Sequence, residues 1–360
     1  MIATIIQALQ RGDTASALSA AQAFAISDAQ NPQAHHWLGI CLQRSGDIAG
    51  ARDAIDQAIN LAPDRADFQI SRAALSLGEK DYAAAEQGMK EAINLDPNSL
   101  QAYVTLAHMA LARSENEEAT RQLKLAQRID RDHPEVLLLE GHIAQYSGQA
   151  DLALKCFTAA AETAPKNPLV QVSLGMAYAA RGMWSFAEQA FKNAMVLESS
   201  NPGVMRGLVR SQMQQQKWLE AIDTVGQWLI NKPADHSARM MRAQLRSQTG
   251  QIEGALEDML MVNDANPGSA TVLAPMVNVL AKLGRREEAI EHLDKALEIN
   301  TLNNNLWSMR IALTSSQVEL TSGLLKRWAA AMPNSPQAHE AIAQMFETGG
   351  ELEAAEASVD

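Results

Sequence analysis

The chain has 360 residues, 47% hydrophobic and only 4% aromatic, with 42 acidic against 30 basic side chains and a formal charge of −12. That balance argues against general nucleic-acid binding, which needs clustered Lys and Arg to meet phosphates. No apolar run approaches the ~20 residues of a membrane-spanning helix.

The opening stretch, "MIATIIQALQRGD", lacks the basic start and long apolar core of a secretion signal. It reads as a short apolar helix, and residues 1–31 read as an incomplete first unit. A regular beat runs along the chain, with full repeats from residue 32. Ala17, Ala51, Ala85, Ala119, Ala153, Ala187, Ala221, Ala255 and Ala289 stand 34 residues apart, and the next step reaches another small residue, Gly323. Seven residues after each of the first five steps from Ala51 stand Ala58, Ala92, Ala126, Ala160 and Ala194; then come Trp228, Val262, Ala296 and Ala330. Five residues before the first row, glycine recurs at 12, 46, 148, 182, 250 and 284. Such self-similarity marks a stacked-repeat architecture.

One period explains the spacing. Asn167 is placed to cap a helix that Pro168 opens, where a missing N–H is harmless. Gly182 is placed to supply the left-handed turn that ends it. A second helix, "SFAEQAFKNAMVLE", stops before Asn201-Pro202. Apolar residues recur at steps of three and four in both helices, so both are amphipathic and neither buries its face alone. Small residues let the helix axes approach and receive large side chains such as Tyr178 and Phe191.

The set Leu174-Gly175, Tyr178, Gly182, Ala187, Phe191 and Ala194 resembles the tetratricopeptide repeat. Leu38-Gly39, Leu42, Gly46, Ala51, Ile55, Ala58 and Pro63 repeat the match. The resemblance implies an all-α fold, a right-handed superhelical solenoid of stacked antiparallel helix pairs running through residues 1–360. Nine repeats fill 32–335, and an incomplete one follows over 336–360. The boundary around "TSSQVELTSGLLKRWAAAMP" lacks a glycine turn and is looser. Cys41 and Cys156 fall in the second and fifth repeats, several helix widths apart, beyond the ~7 Å that a disulfide allows. Two reduced thiols suit a cytoplasmic protein.

Catalytic chemistry finds no foothold. There is no phosphate loop, Cys-x-x-Cys or nucleophile elbow, and "HEAIA" at His339 lacks the second histidine of a zinc helix, with Ala343 in its place. We expect no cofactor, no metal and no enzyme activity. The pairs Glu117-Glu118 and Glu287-Glu288 open second helices, where negative charge suits the dipole.

The resemblance directs attention to the first helix of each pair, whose second, fifth, ninth and twelfth slots line the concave face. Carried onto this sequence, those slots hold Ile70, Ala74, Leu77, Val104, Leu111, Leu138, Leu169, Val172 and Met176. An exposed apolar strip of this kind is a binding site for a protein or peptide segment; the alternative is that curvature tucks several of these side chains into the core. His108 and His142 share one slot in adjacent repeats and are expected side by side, as polar contacts rather than a metal site.

Residues 201–250 carry seven basic against three acidic side chains, a local excess of four. Arg206 and Arg210 stand one turn apart in concave slots, suited to an acidic group on a partner; the alternative is pairing with acidic residues on neighbouring helices. The chaperone-tail clamp known in the family is not expected, since Met241, Thr271 and Pro275 occupy places that need polar or basic side chains. Pro275 falls about one turn into a first helix, so either that helix starts after it or the solenoid bends there. The last stretch, "ELEAAEASVD", reads as a short final helix without a cap, which suggests a continuing chain or self-association through that end. The expected role is therefore a non-catalytic interaction scaffold. The alternatives are the recognition region of a larger bacterial enzyme, of sulfotransferase or glycosyltransferase type, and an envelope-assembly factor.

Overall fold

The structure, a computed structural model, describes residues 1–315 and 317–349. The expected final helix over "ELEAAEASVD" lies outside the described residues. Backbone contacts divide the chain into two compact units, Met1–Ser200 and a second that begins at Asn201.

The first unit contains twelve helices in six consecutive pairs. These are α1 (Ile2–Gln10) with α2 (Thr14–Ser27), α3 (Pro32–Ser45) with α4 (Ile48–Leu61), α5 (Ala66–Gly78) with α6 (Tyr82–Leu95), α7 (Leu100–Ala112) with α8 (Asn116–Ile129), α9 (Pro134–Tyr146) with α10 (Ala150–Thr163), and α11 (Pro168–Ala180) with α12 (Trp184–Leu197). The second unit continues with α13 (Pro202–Gln214), α14 (Trp218–Asn231), α15 (His236–Gln248), α16 (Ile252–Ala265), α17 (Ala270–Lys282), α18 (Arg286–Ile299), α19 (Asn304–Ala312), α20 (Val318–Ala331) and α21 (Pro336–Gly349). No strand occurs among the described residues. The fold is an all-α solenoid. Residues 1–31 hold a helix pair whose first member, α1, is shortened to nine residues.

Local chemistry sets the helix ends. Asn31, Asn167 and Asn201 each accept a backbone N–H from the second helical residue, with Pro at the first. Asp13, Asp47 and Asp81, again 34 residues apart, cap second helices by accepting from Ser16, Gly50 and Ala84. Between the two helices of each pair from α1–α2 to α17–α18 the chain reverses through one left-handed residue. Glycine fills it at 12, 46, 148, 182, 250 and 284, with φ of 71° to 91°. Lys80, Ser114 and Gln216 fill the same place with φ of 64°, 62° and 61°. The N–H of the next residue then closes the helix, as Met183 does on Tyr178 and Gln251 on Arg246, at 2.9 and 2.8 Å.

The core follows the small-residue rows. All nine alanines of the row from Ala17 to Ala289 are buried. In the first helices, Gly39, Gly141 and Gly175 lie directly against a large side chain of the paired second helix. A Cβ on Gly141 would stand 2.4 Å from Phe157 Cε1; on Gly39, 2.5 Å from Ile55 Cγ1; on Gly175, 3.0 Å from Phe191 Cε1. Close packing of this kind leaves no room for even a methyl group. Successive first helices also touch one another, α3 with α5, α7 with α9 and α9 with α11 in the first unit, and α17 with α19 in the second.

Two places depart from the regular plan. Helix α17 runs unbroken from Ala270 to Lys282 with Pro275 inside it, so it does not start late. The proline removes a single N–H early in the helix, which tertiary packing of Leu273, Met276, Val277 and Leu280 offsets. Helix α19 is only nine residues long, and the turn after it is tied by Thr321 Oγ1 donating to the Thr314 carbonyl at 2.7 Å.

Candidate functional site

Three consecutive first helices of the first unit, α7, α9 and α11, wall a concavity of about 430 Å³. Its lining is His108, Leu111 and Ala112 from α7, His142, Gln145 and Tyr146 from α9, and Ser173 and Met176 from α11. The two imidazoles stand edge to face with centroids 5.8 Å apart. His142 Nε2 lies 3.1 Å from Ser173 Oγ, and its ring packs 5.2 Å from that of Phe157. Burial lowers the pKa of both histidines; for His142, burial first and then the neighbouring His108 bring it from 6.5 to about 4. Both rings are therefore neutral at pH 7 and offer nitrogen donors and acceptors without charge. Tyr146 and Met176, 69% and 53% exposed, supply an apolar rim. Neutral hydrogen-bonding groups beneath exposed aromatic and thioether side chains suit an uncharged, partly apolar segment.

The expected strip is only partly a surface. Val104 and Leu138 are 6% and 3% exposed and belong to the cores around α7 and α9, which corrects their placement on an open wall; Leu111, 6% exposed, is also a core residue but edges the concavity. Successive first helices approach closely enough that these slots face the neighbouring helix. Ile70, Ala74, Leu77 and Val172 are half-buried, while Leu169 is 53% exposed. His108, Leu111, His142 and Met176 are brought together at the concavity; the remaining strip residues are not part of its lining. Gln145, a polar side chain in a twelfth slot, joins them, and Ala112, Tyr146 and Ser173 complete the lining from outside the four slots. The signal available for Tyr146 was an aromatic side chain at the last position of a first helix, where the turn needs no large residue.

Arg206 and Arg210 are both exposed on α13, in the second unit. Three further arginines of the basic region lie on α15. Arg242 and Arg246 on α15 both bond Asp258 of α16, a carboxylate only 1% exposed, and Arg239 approaches it at 3.6 Å. Part of the local basic excess is thus an internal charge cluster. Cys41 and Cys156 are buried free thiols, and burial pushes Cys156 up to about 11. Among the described residues no group of three or more His, Cys, Asp or Glu is arranged to hold a metal ion, and no helix is long and apolar enough to cross a membrane.

Comparison with known proteins agrees with this architecture. Three profiles described as tetratricopeptide repeat match the chain, one at residues 5–67, 42–99 and 138–198, one at 76–143 and one at 276–301. No curated protein matches the sequence. Among solved structures, the human IFIT1 dimer with PPP-AAAA is similar over 96% of this chain and 81% of that one, at 13% identity and a TM-score of 0.54. PilW, a type IV pilus biogenesis factor, aligns over 56% of this chain and 93% of its own, at 18% identity and a TM-score of 0.49. YrrB, a protein with an unusual peptide-binding site, aligns over 51% and 95%, at 18% identity and a TM-score of 0.42. At such identities the likeness is one of fold.

Proposed function

Because the chain belongs to the tetratricopeptide repeat family, we propose that it is a non-catalytic interaction scaffold whose α7–α9–α11 concavity receives a segment of a protein partner. The observation that carries this reading is the concavity itself: exposed Met176 and Tyr146 flank a floor of neutral His108 and His142. An extended or helical segment would set one apolar side chain between Met176 and Tyr146 and meet the imidazoles with backbone or neutral polar groups. Arg206 and Arg210 are a separate contact, suited to an acidic group. We place the protein in the cytoplasm, a reading supported by its two buried free thiols.

Peptides selected by display against the immobilised full chain test the reading. Selected sequences should bind the wild type and lose at least ~10-fold in affinity, about 1.4 kcal/mol, on Met176→Glu. Selected peptides that bind Met176→Glu as tightly as wild type would mean that the segment seats elsewhere.

A further inference from the structure

A thioether changes from apolar to polar in one reaction, without a change of shape in the backbone, when its sulfur gains an oxygen. The chain holds sixteen methionines, all among the described residues. Met1, Met176 and Met261 are exposed, at 61%, 53% and 56%, and the rest are buried or half-buried. Both cysteines are buried as well, so exposed thioethers are the sulfur groups that an oxidant in solution meets first.

The two internal ones differ in what meets the sulfur. Met261 Sδ, on α16, accepts from Arg239 Nη1 at 2.9 Å. A sulfur lone pair is what attacks a peroxide, and a guanidinium directed at that pair both holds it and covers one line of approach. Met176 Sδ, on α11, takes part in no hydrogen bond or ring contact among the described residues. Its slot also accepts polar groups: the same slot holds His108 and His142 in the two preceding repeats and Arg210 in the next. An oxygen on Met176 Sδ is therefore compatible with the fold and alters the rim of the concavity alone. The lining that Met176 shares offers that oxygen donors in the Ser173 hydroxyl, the Gln145 amide and the N–H of a neutral imidazole.

We propose that Met176 is a site of reversible oxidation by hydrogen peroxide, and that its sulfoxide releases the partner segment from the α7–α9–α11 concavity. The release, though not the oxidation, rests on the concavity being the segment's seat. In the forward step the sulfur lone pair takes one peroxide oxygen. The S–O bond forms as the O–O bond breaks, the thioether gives up two electrons, and the second oxygen leaves as water with both peroxide protons. A sulfoxide reductase reverses the change with a dithiol, which becomes a disulfide as the sulfoxide oxygen leaves as water. The sulfoxide dipole loses its hydration if an apolar side chain still packs on it, and that cost is what expels the segment.

Timed exposure of the folded full chain to hydrogen peroxide, quenched with catalase and mapped by mass spectrometry, tests the oxidation. Met176 sulfoxide should form at least ~3-fold faster than Met261 sulfoxide. Methionine sulfoxide reductases with dithiothreitol should return Met176 to the thioether in the folded chain. Equal or slower oxidation of Met176 than of Met261, or a Met176 sulfoxide that the reductases leave in place, would overturn the site. Display-selected peptides, added after the quench, test the release. A peptide that loses affinity on Met176→Glu should also lose at least ~10-fold on oxidation of the wild type, and regain it after reductase treatment. Met176→Leu keeps an apolar rim without sulfur, and should bind that peptide equally before and after peroxide. An oxidised wild type that binds it undiminished would overturn the release while the reading of the concavity stands. Peptides indifferent to Met176→Glu would instead remove that reading and the release with it, but not the oxidation, which the two rates decide on their own.

Discussion

At the scale of single residues, the left-handed turn is the most exacting position in the repeat. Six glycines adopt it freely, whereas Lys80, Ser114 and Gln216 hold φ near 62° against the steric preference of an L side chain. Lys80→Gly, Ser114→Gly and Gln216→Gly should therefore each stabilise the protein by about 1 kcal/mol in urea unfolding, and Gly148→Ala should cost a similar amount. The glycine row was legible in the sequence, because a residue free to take positive φ advertises the turn. The three exceptions were not, since nothing about Lys, Ser or Gln signals that conformation; the period alone locates them. His142 makes a second prediction. The unfolded chain protonates it near 6.5 and the folded chain only near 4, so the unfolded state binds more protons between those values. Its contribution to stability is complete above about pH 6.5 and is lost as pH falls towards 4, by at most about 3 kcal/mol and less to the extent that the ring meets solvent. His142→Gln should flatten the pH dependence of stability across that window; an unchanged slope would show that burial does not hold the ring neutral.

Among the helices, packing rests on pairs of unequal side chains across each antiparallel pair. Gly141 and Phe157 form one such pair, and a Cβ would intrude to 2.4 Å from the ring. Gly141→Val should destabilise by about 2 kcal/mol through overpacking, and Phe157→Leu in the same chain should recover part of the loss, a coupling that a double-mutant cycle reads directly. The same geometry explains where slot counting succeeds and where it fails. A slot fixes the direction in which a side chain leaves its own helix, but not how near the next helix comes. Met176 and Leu169 leave α11 towards open space, as their slots imply. Val104, Leu111 and Leu138 leave α7 and α9 towards neighbours close enough to bury them. Pro275 is a similar case: local chemistry argues for a break, while the buried face of α17 holds the helix together through it. The arginine cluster lay between the two. Its charge excess was visible, but Asp258 is the partner of Arg242 only once α15 and α16 are packed side by side.

For the molecule as a whole, the proposed recognition falls on a surface that successive first helices share. Each repeat within the first unit contacts its neighbours and little else, so a ligand that spanned α7, α9 and α11 would stiffen those helices without a global change of structure. Hydrogen exchange of the full chain, with and without a display-selected peptide, tests this most directly. The account predicts that slowed exchange concentrates in α7, α9 and α11, around Leu111, His142 and Met176, and leaves the other helices of the first unit unchanged. Slowed exchange confined to second helices such as α8 and α10, with α7, α9 and α11 unaffected, would contradict it.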